Sequence, residues 1–231
     1  IEQNVTALRN RIDELGVAEP VVQRQGDRRI VVQLPGVQDT ARAKRILGRT
    51  ATLETMLVDE EHSLDNALEG NVPPGSRIYR MRDGRPILLE KRVLYSGDNI
   101  VDAAASIDSQ SGGPIVSISL DALGARVNQR VTGENIGNRM AVLYIEIRSR
   151  IKVDSSGNPV LDAEGQAVRI KERLEEVITA PVIRDQLGKR FQIEGLDSVM
   201  EARDLALLLR AGALAAPVEI IEERTVGPSL G

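Results

Sequence analysis

The sequence predicts an α+β fold in which a second α+β lobe is inserted into a base built from two similar halves. Three observations support this prediction. Helical periodicity alternates with β-rich runs along the chain. A segment near the N-terminus has a counterpart near the C-terminus, and the residues between the two differ from both in composition. The 231 residues are enough for one large domain or two smaller ones.

The first half of the base has the order helix, hairpin, helix, strand. A stripe of apolar residues ends at Gly16 and predicts an amphipathic helix, with one buried face formed by Ile1, Val5, Leu8, Ile12 and Leu15. Two β-rich runs around Gly26-Asp27 predict a hairpin over residues 19–36. Asp39 or Thr40 can cap a short helix before Gly48, and residues 51–58 have the composition of a strand.

The second half repeats this order. A hairpin is predicted around Pro181 and Gly188, and Asp197 or Ser198 caps a helix that Gly212 ends. The run VEII (218–221) then predicts a buried strand. The repeat favours one sheet assembled from two halves, as in ferredoxin-like folds, with chance similarity between short β-α-β units as the alternative.

The middle of the chain predicts the inserted lobe. Residues 59–90 are polar and rich in turn residues, which indicates an exposed connector with one hairpin. IVSISL (115–120) predicts a strand, Asp121 opens a helix toward Gly133, and MAVLYIEI (140–147) predicts another strand. The turn clusters SSGNP and DAEGQ then predict a long hairpin. The predicted boundaries are 1–58 for the first half of the base, 59–180 for the lobe and 181–231 for the second half, with the return point between 181 and 197.

Composition excludes several functional classes. A formal net charge of −4, with no basic block interleaved with aromatic residues, argues against nucleic-acid binding. The apolar stretches are shorter than the roughly 20 residues that a membrane helix needs, so no span is predicted in this chain. The absence of cysteine removes thiolate catalysis and Cys-ligated metal sites.

No motif for catalysis or for cofactor binding is present. The only histidine, His62, lies in a turn-rich acidic segment and is predicted to be solvated. No Gly-rich phosphate loop follows a strand, and the calcium-loop-like run that starts at Asp154 has Pro159 where the turn requires glycine. Paired carboxylates are common, but sugar clefts also need aromatic rings, which make up 2% of the chain. The sequence therefore predicts a protein that is not an enzyme and has no cofactor.

Binding through aliphatic surface is the remaining possibility. The strand 115–120 carries apolar side chains that could line a groove for an extended or helical apolar segment, namely Ile115, Val116, Ile118 and Leu120. The alternative is that these residues are core positions of the inserted lobe.

Three segments together resemble the large first periplasmic domain of the SecD family, membrane proteins that partner SecF in bacterial protein export. They are "LRNRIDELGVAEPVVQRQGDRRIVVQLPGVQDTARAKRILGRTATLE", "GENIGNRMAV" and "EARDLALLLRAGALAAPVEIIEERTVGPSLG". The resemblance covers both ends of the chain and parts of its middle, but not residues 59–95 or 148–176. It implies a ferredoxin-like base with an inserted head, in an architecture similar to transporters of the resistance-nodulation-division type.

The resemblance also implies a function and partners. The family uses the proton gradient to assist unfolded preprotein that emerges from the SecYEG channel, at the periplasmic face of the inner membrane, and the head is expected to bind the preprotein and swing relative to the base. Its proton-carrying residues lie in membrane helices outside this chain, which would be membrane-tethered in the full-length protein. The expected hinges are Val58, Asp59, Ala180 and Leu196. A rival hypothesis is a docking domain that contacts SecF and channel subunits without binding substrate.

Overall fold

Five α-helices and ten strands make up the computed structural model, which describes residues 1–162, 165, 167–212, 214, 218 and 220–224, and only the backbone at 148 and 149. The helices are α1 (Glu2–Glu14), α2 (Thr40–Gly48), α3 (Leu64–Leu68), α4 (Ala122–Glu134) and α5 (Val199–Ala211). The strands are β1 (Val21–Gln25), β2 (Arg29–Gln33), β3 (Thr50–Val58), β4 (Ser76–Arg80), β5 (Pro86–Ser96), β6 (Ile100–Ile107), β7 (Pro114–Leu120), β8 (Met140–Ile151), β9 (Arg169–Thr179) and β10 (Arg190–Ile193). These elements confirm the predicted α+β class.

The largest sheet has five antiparallel strands in the order β4-β5-β3-β8-β9. Its two outer strands approach each other near the end of β4. There the Arg82 amide donates to the Val177 carbonyl at 3.1 Å, and Met81 forms an isolated β-bridge with Val177. The sheet therefore curls around its own apolar core, which consists of Met56, Val58, Tyr79, Ile87, Leu89, Ala141, Leu143, Ile145 and Val177.

A three-stranded sheet, β10-β7-β6, lies against the outer side of the five-stranded sheet. α5 packs on the three-stranded sheet because its side chains are apolar on nearly every face. The core between these layers contains Leu53 and Tyr95 from the larger sheet, Val116 and Ile118 from β7, and Leu205 from α5.

The N-terminal residues form a separate small core. α1 and the β1-β2 hairpin pack together through Val5, Leu8, Ile12 and Val22, and Leu214 joins them from the other end of the chain. Lys44 of α2 forms an ion pair with Glu223 at 3.0 Å. The N-terminal residues and the described residues after 212 thus meet in one unit, which we call the base (residues 1–49 with the described residues after 212), and the described residues of 50–212 form the lobe.

The packing of strands and helices does not change at the predicted boundaries 59 and 180, and those boundaries remain a prediction. β3 was placed in the base, yet it is the central strand of the five-stranded sheet. β10 and α5 were also placed in the base, yet they pack on β6 and β7. The chain crosses between base and lobe near Arg49 and Gly212 because the hydrophobic cores change there.

Three local predictions also need correction. Residues 76–80 and 86–90 lie in strands and not in an exposed connector, since Ile87, Leu88 and Leu89 are buried, although the predicted hairpin is present as β4 and β5. No hairpin forms around Gly188, because the backbone at 181–183 bonds instead to residues 137–140. Of the predicted strand 218–221, residue 219 lies outside the described residues, and Ile220 and Ile221 are exposed and not in a strand. The ferredoxin-like form of the base remains a prediction.

Candidate functional site

The four groove candidates lie in the interior of the lobe. Their exposed fractions are 4% for Ile115, 0% for Val116, 1% for Ile118 and 0% for Leu120. Val116, Ile118 and Leu120 belong to the core beneath α5. The four side chains therefore cannot line an open groove in this conformation, and the alternative reading, that they are core positions, is the one the structure supports.

The four hinge candidates lie within the lobe. Val58 ends β3 and Asp59 follows it, and their amides donate to the carbonyls of Arg139 and Leu88, each at 3.0 Å. Ala180 follows β9, and Leu196 is buried before α5. Because Val58 and Asp59 are held in a hydrogen-bonded sheet, a bend there would break the larger sheet rather than separate the two units.

Asp59 is the centre of a polar cluster at one end of the curled sheet. Its carboxylate accepts hydrogen bonds from the amides of Glu61 and His62, from the Ser76 hydroxyl at 2.5 Å, and faces His62 Nδ1 at 3.0 Å. Burial raises the pKa of Asp59, but the hydrogen bonds from Ser76 and His62 outweigh it, so the pKa lies below its usual range. The cluster holds the turn that leads into α3.

This cluster is not a nucleophilic triad, although it contains serine, histidine and aspartate. The Ser76 hydroxyl donates to Asp59, so His62 is not its base. The His62 side chain is 54% exposed, in agreement with the predicted solvated position.

A cavity of about 300 Å³ opens beside the cluster. Its wall combines apolar side chains such as Met81 and Ile87 with the ion pair between Glu60 and Arg139, in which the contacts are 2.7 and 3.1 Å. The hydrogen bond from Arg139 holds the pKa of Glu60 below its usual range. Both charges are satisfied by each other, so the cavity offers a mixed surface rather than an unpaired charge to a ligand.

Polar contacts cross from the base to the lobe. Arg42 of α2 pairs with Asp204 of α5 at 3.0 Å, and Arg49 pairs with the buried Glu146 of β8 at 3.2 Å. Arg210 of α5 pairs with Glu14 at the end of α1. Two apolar side chains of the base, Leu15 and Ile46, also reach the core of the lobe.

Arg11 is the most buried charge at this junction, with no exposed surface. Its guanidinium donates to four carbonyl oxygens at the ends of α2 and α5, at 2.8 Å to Ile46, 3.3 Å to Leu47, 2.6 Å to Arg49 and 3.2 Å to Gly212. Helix C-termini carry partial negative charge, so they accept a cation without a carboxylate. Burial lowers the pKa of Arg11 to about 10, which leaves it charged at neutral pH.

Sequence reasoning missed Arg11, although a signal was present. Position 11 follows Leu8 by three residues and precedes Leu15 by four, which places it beside the apolar stripe of α1. An arginine on the buried side of a helix needs acceptors in the interior.

Within the described residues, every helix is too short or too polar to cross a membrane.

Two family models match the chain. The model of the SecDF P1 head subdomain matches residues 76–216. The model of protein translocase subunit SecDF, P1 domain, N-terminal, matches residues 1–60. These ranges divide the chain into an N-terminal part and a later part that contains most of the lobe.

Full-length relatives are similar over the whole chain. This chain is 50% identical over 231 residues to protein translocase subunit SecD of Escherichia coli strain K12. It is 46% identical over 233 residues to protein translocase subunit SecD of Pseudomonas aeruginosa. The chain spans 36% of the length of each of these relatives.

Solved structures agree with this relationship. The crystal structure of SecDF in a super-membrane-facing form superposes with a TM-score of 0.66 at 34% identity, covering 96% of this chain and 27% of that one. A second structure, of a membrane component SecDF that enhances protein export, gives a TM-score of 0.65 at 33% identity, covering 97% of this chain and 92% of that one.

Proposed function

Because this chain belongs to the SecD family of protein translocase subunits, we propose that it is the periplasmic domain of an export subunit driven by the proton gradient. In this proposal the lobe binds unfolded preprotein as it emerges from the SecYEG channel, and the lobe moves relative to the base. SecF and the channel are the partners, the inner membrane anchors the full-length protein, and the domain performs no catalytic step.

The observation that supports movement is the division into two cores with a largely polar junction. The core of the base and the cores of the lobe share few side chains, and several contacts between the two units are ion pairs or hydrogen bonds. Such interfaces resemble those between domains that move, because polar groups can exchange partners with water. The crossing points near Arg49 and Gly212 replace the predicted hinges.

Cross-linking the two units tests this proposal. Cysteines at Arg42 and Asp204, joined by a flexible bismaleimide linker in the full-length protein, would tie α2 to α5 across the junction. We expect export driven by the proton gradient to stop when this pair is joined. The matched control joins Arg77 and Glu175, an ion pair within the curled sheet. Normal export with the α2–α5 link in place would contradict movement at this junction.

The burial of the four groove candidates favours a second candidate function, a docking domain that contacts SecF and channel subunits and never the substrate. Photoreactive residues on exposed positions of both units, such as Leu68 in the lobe and Arg28 in the base, distinguish the two. Adducts of a stalled preprotein with the lobe support capture. Adducts that contain only SecF or channel subunits support docking.

A further inference from the structure

The outer strand of the three-stranded sheet has a free edge. β6 pairs with β7, and within the described part of the chain no second strand or isolated bridge pairs with it. The free edge of a sheet presents unpaired N–H and C=O groups, which can pair with another extended chain. β6 therefore offers a backbone binding surface.

One contact indicates which backbone groups face outward. Arg210 Nη1 donates to the Ala103 carbonyl at 3.0 Å, which indicates that this carbonyl is turned away from β7. In antiparallel strands the N–H and C=O of one residue point the same way, and the direction alternates along the strand. Ala105 and Ile107 thus present their N–H and C=O groups on the same outer side, beyond the reach that Arg210 covers.

The free part of this edge has few of the features that protect natural edges. Proline, lysine and bulges usually block unwanted pairing. β6 has no proline or lysine, its one charged residue is Asp102, and its bulge lies between Ile100 and Asp102. Residues 103–107 are left regular and uncharged.

Side chains along the edge also leave the backbone accessible. Ala104, Ala105 and Ser106 are small, so another chain can approach closely. Ile107 at the end of the strand is 61% exposed and offers an apolar contact, whereas Ala105 still packs against the core. The adjoining turn is fixed, since Asp108 accepts from the Ser111 amide at 2.8 Å and from its hydroxyl at 2.7 Å.

We propose that an extended, uncharged segment of the exported polypeptide adds to this sheet as a further strand along residues 104–107. This rests on the proposed function. Main-chain hydrogen bonds depend little on the identity of the side chains, which suits a ligand whose sequence varies from one preprotein to the next. Four residues span roughly 13 Å, and the area they bury is far below the roughly 1,000 Å² of a stable interface. The ligand is therefore a transient chain and not a permanent subunit.

Cysteine cross-linking tests the pairing directly. Ser106→Cys is introduced into the full-length protein in a background without other cysteines, and single cysteines are scanned along a stalled preprotein. A paired strand places alternate residues on each face, so we expect disulfides at every second preprotein position. Ser109→Cys, in the exposed loop after β6, is the control and should show no such period.

A proline variant tests the hydrogen bonds. Ala105→Pro removes an outward N–H and leaves the groups that bond β7 intact, whereas Ala105→Val keeps the N–H. We expect Ala105→Pro to weaken cross-linking roughly fivefold, the effect of one lost hydrogen bond, and Ala105→Val to leave it unchanged. Ile107→Pro, at the end of the strand, repeats the test if Ala105→Pro does not fold.

The outcomes separate this inference from the proposed function. Cross-links without a two-residue period, or insensitive to both proline variants, contradict strand pairing. If preprotein adducts form elsewhere on the lobe but not at Ser106, the proposal of strand pairing at β6 is wrong, whereas binding of preprotein by the lobe is still supported. No preprotein adduct at any position of the lobe overturns both.

Discussion

Replacing Arg11 with methionine removes the buried cation that joins α1 to the ends of α2 and α5, and keeps an unbranched side chain. Four carbonyl oxygens lose a charged donor: Ile46, Leu47, Arg49 and Gly212. Hydrogen bonds to a charged group contribute about 1.5–3 kcal/mol each, which gives about 6–12 kcal/mol for four. The longer contacts, at 3.2 and 3.3 Å, belong at the lower end of that range.

Relief of burial offsets part of this loss. Burial lowers the pKa of Arg11 to about 10 because it takes the charge out of water, and the cost of this transfer corresponds to about 3 kcal/mol. With the two longer contacts at the lower end, the four bonds contribute about 6–9 kcal/mol, and we therefore expect Arg11→Met to lower the free energy of unfolding by about 3–6 kcal/mol. For a chain of this length the melting temperature should fall by roughly 6–24 °C.

Urea unfolding followed by circular dichroism measures this effect. Arg9→Met is the matched control, because Arg9 lies on the same helix, is exposed, and makes a hydrogen bond of 3.4 Å to the Val22 carbonyl. We expect the control to change the free energy of unfolding by less than about 1 kcal/mol. If the two variants are equally stable, the carbonyl contacts of Arg11 do not stabilise the fold.

Two further predictions concern the lobe. The lowered pKa of Asp59 means that its ionised form contributes stability above the unfolded pKa of about 4, and that this contribution disappears as the pH falls through the lower folded value. Urea unfolding between about pH 5 and pH 2 should therefore show that the free energy of unfolding falls more steeply with decreasing pH in the parent than in Asp59→Asn. Parallel pH dependences of the two proteins would contradict a stabilising role for the Asp59 cluster. Leu89→Ala should lower the free energy of unfolding by about 2–5 kcal/mol, because Leu89 has no exposed surface. Leu68→Ala, at a position that is 52% exposed, should lower it by less than about 0.5 kcal/mol. Equal losses for the two variants would place Leu89 outside a packed core.

Local structure was predictable where the signal is local. Asp39 and Ser198 cap α2 and α5 through hydrogen bonds to amides three residues later, and Asp121 does the same for α4. Short polar side chains before an apolar stripe specify these helix starts whatever the tertiary context. The glycine at the turn of the first hairpin, Gly26, has a φ of 67°, which favours glycine.

Long-range pairing was not predictable in the same way. The repeat of proline, β-branched residues and glycine suggested a second hairpin near Gly188, but the amide of Ile183 donates to the Asn138 carbonyl at 2.8 Å. A competing partner distant in sequence therefore decides the structure of that segment. The charged residues of β4 and β5 favoured the prediction of an exposed connector over two strands. Only one face of a curled sheet needs apolar side chains, so charged residues can occupy the other face.

The candidate site was the least predictable feature. An alternating strand such as β7 has the same pattern whether its apolar face meets a ligand or a helix, and here α5 covers it. The free edge of β6 depends on which strands pair, and composition does not reveal that.

The distance between base and lobe in the working protein tests the central claim most directly. Spin labels at Arg28 in the base and Leu68 in the lobe, in full-length protein in a membrane with SecF and the channel, report this distance by pulsed electron resonance. A second label pair at Leu68 and Ile107, both in the lobe, is the control. We predict that a proton gradient with a preprotein in transit shifts the first distance and leaves the second unchanged. One constant distance for the first pair under every condition would contradict movement of the lobe relative to the base.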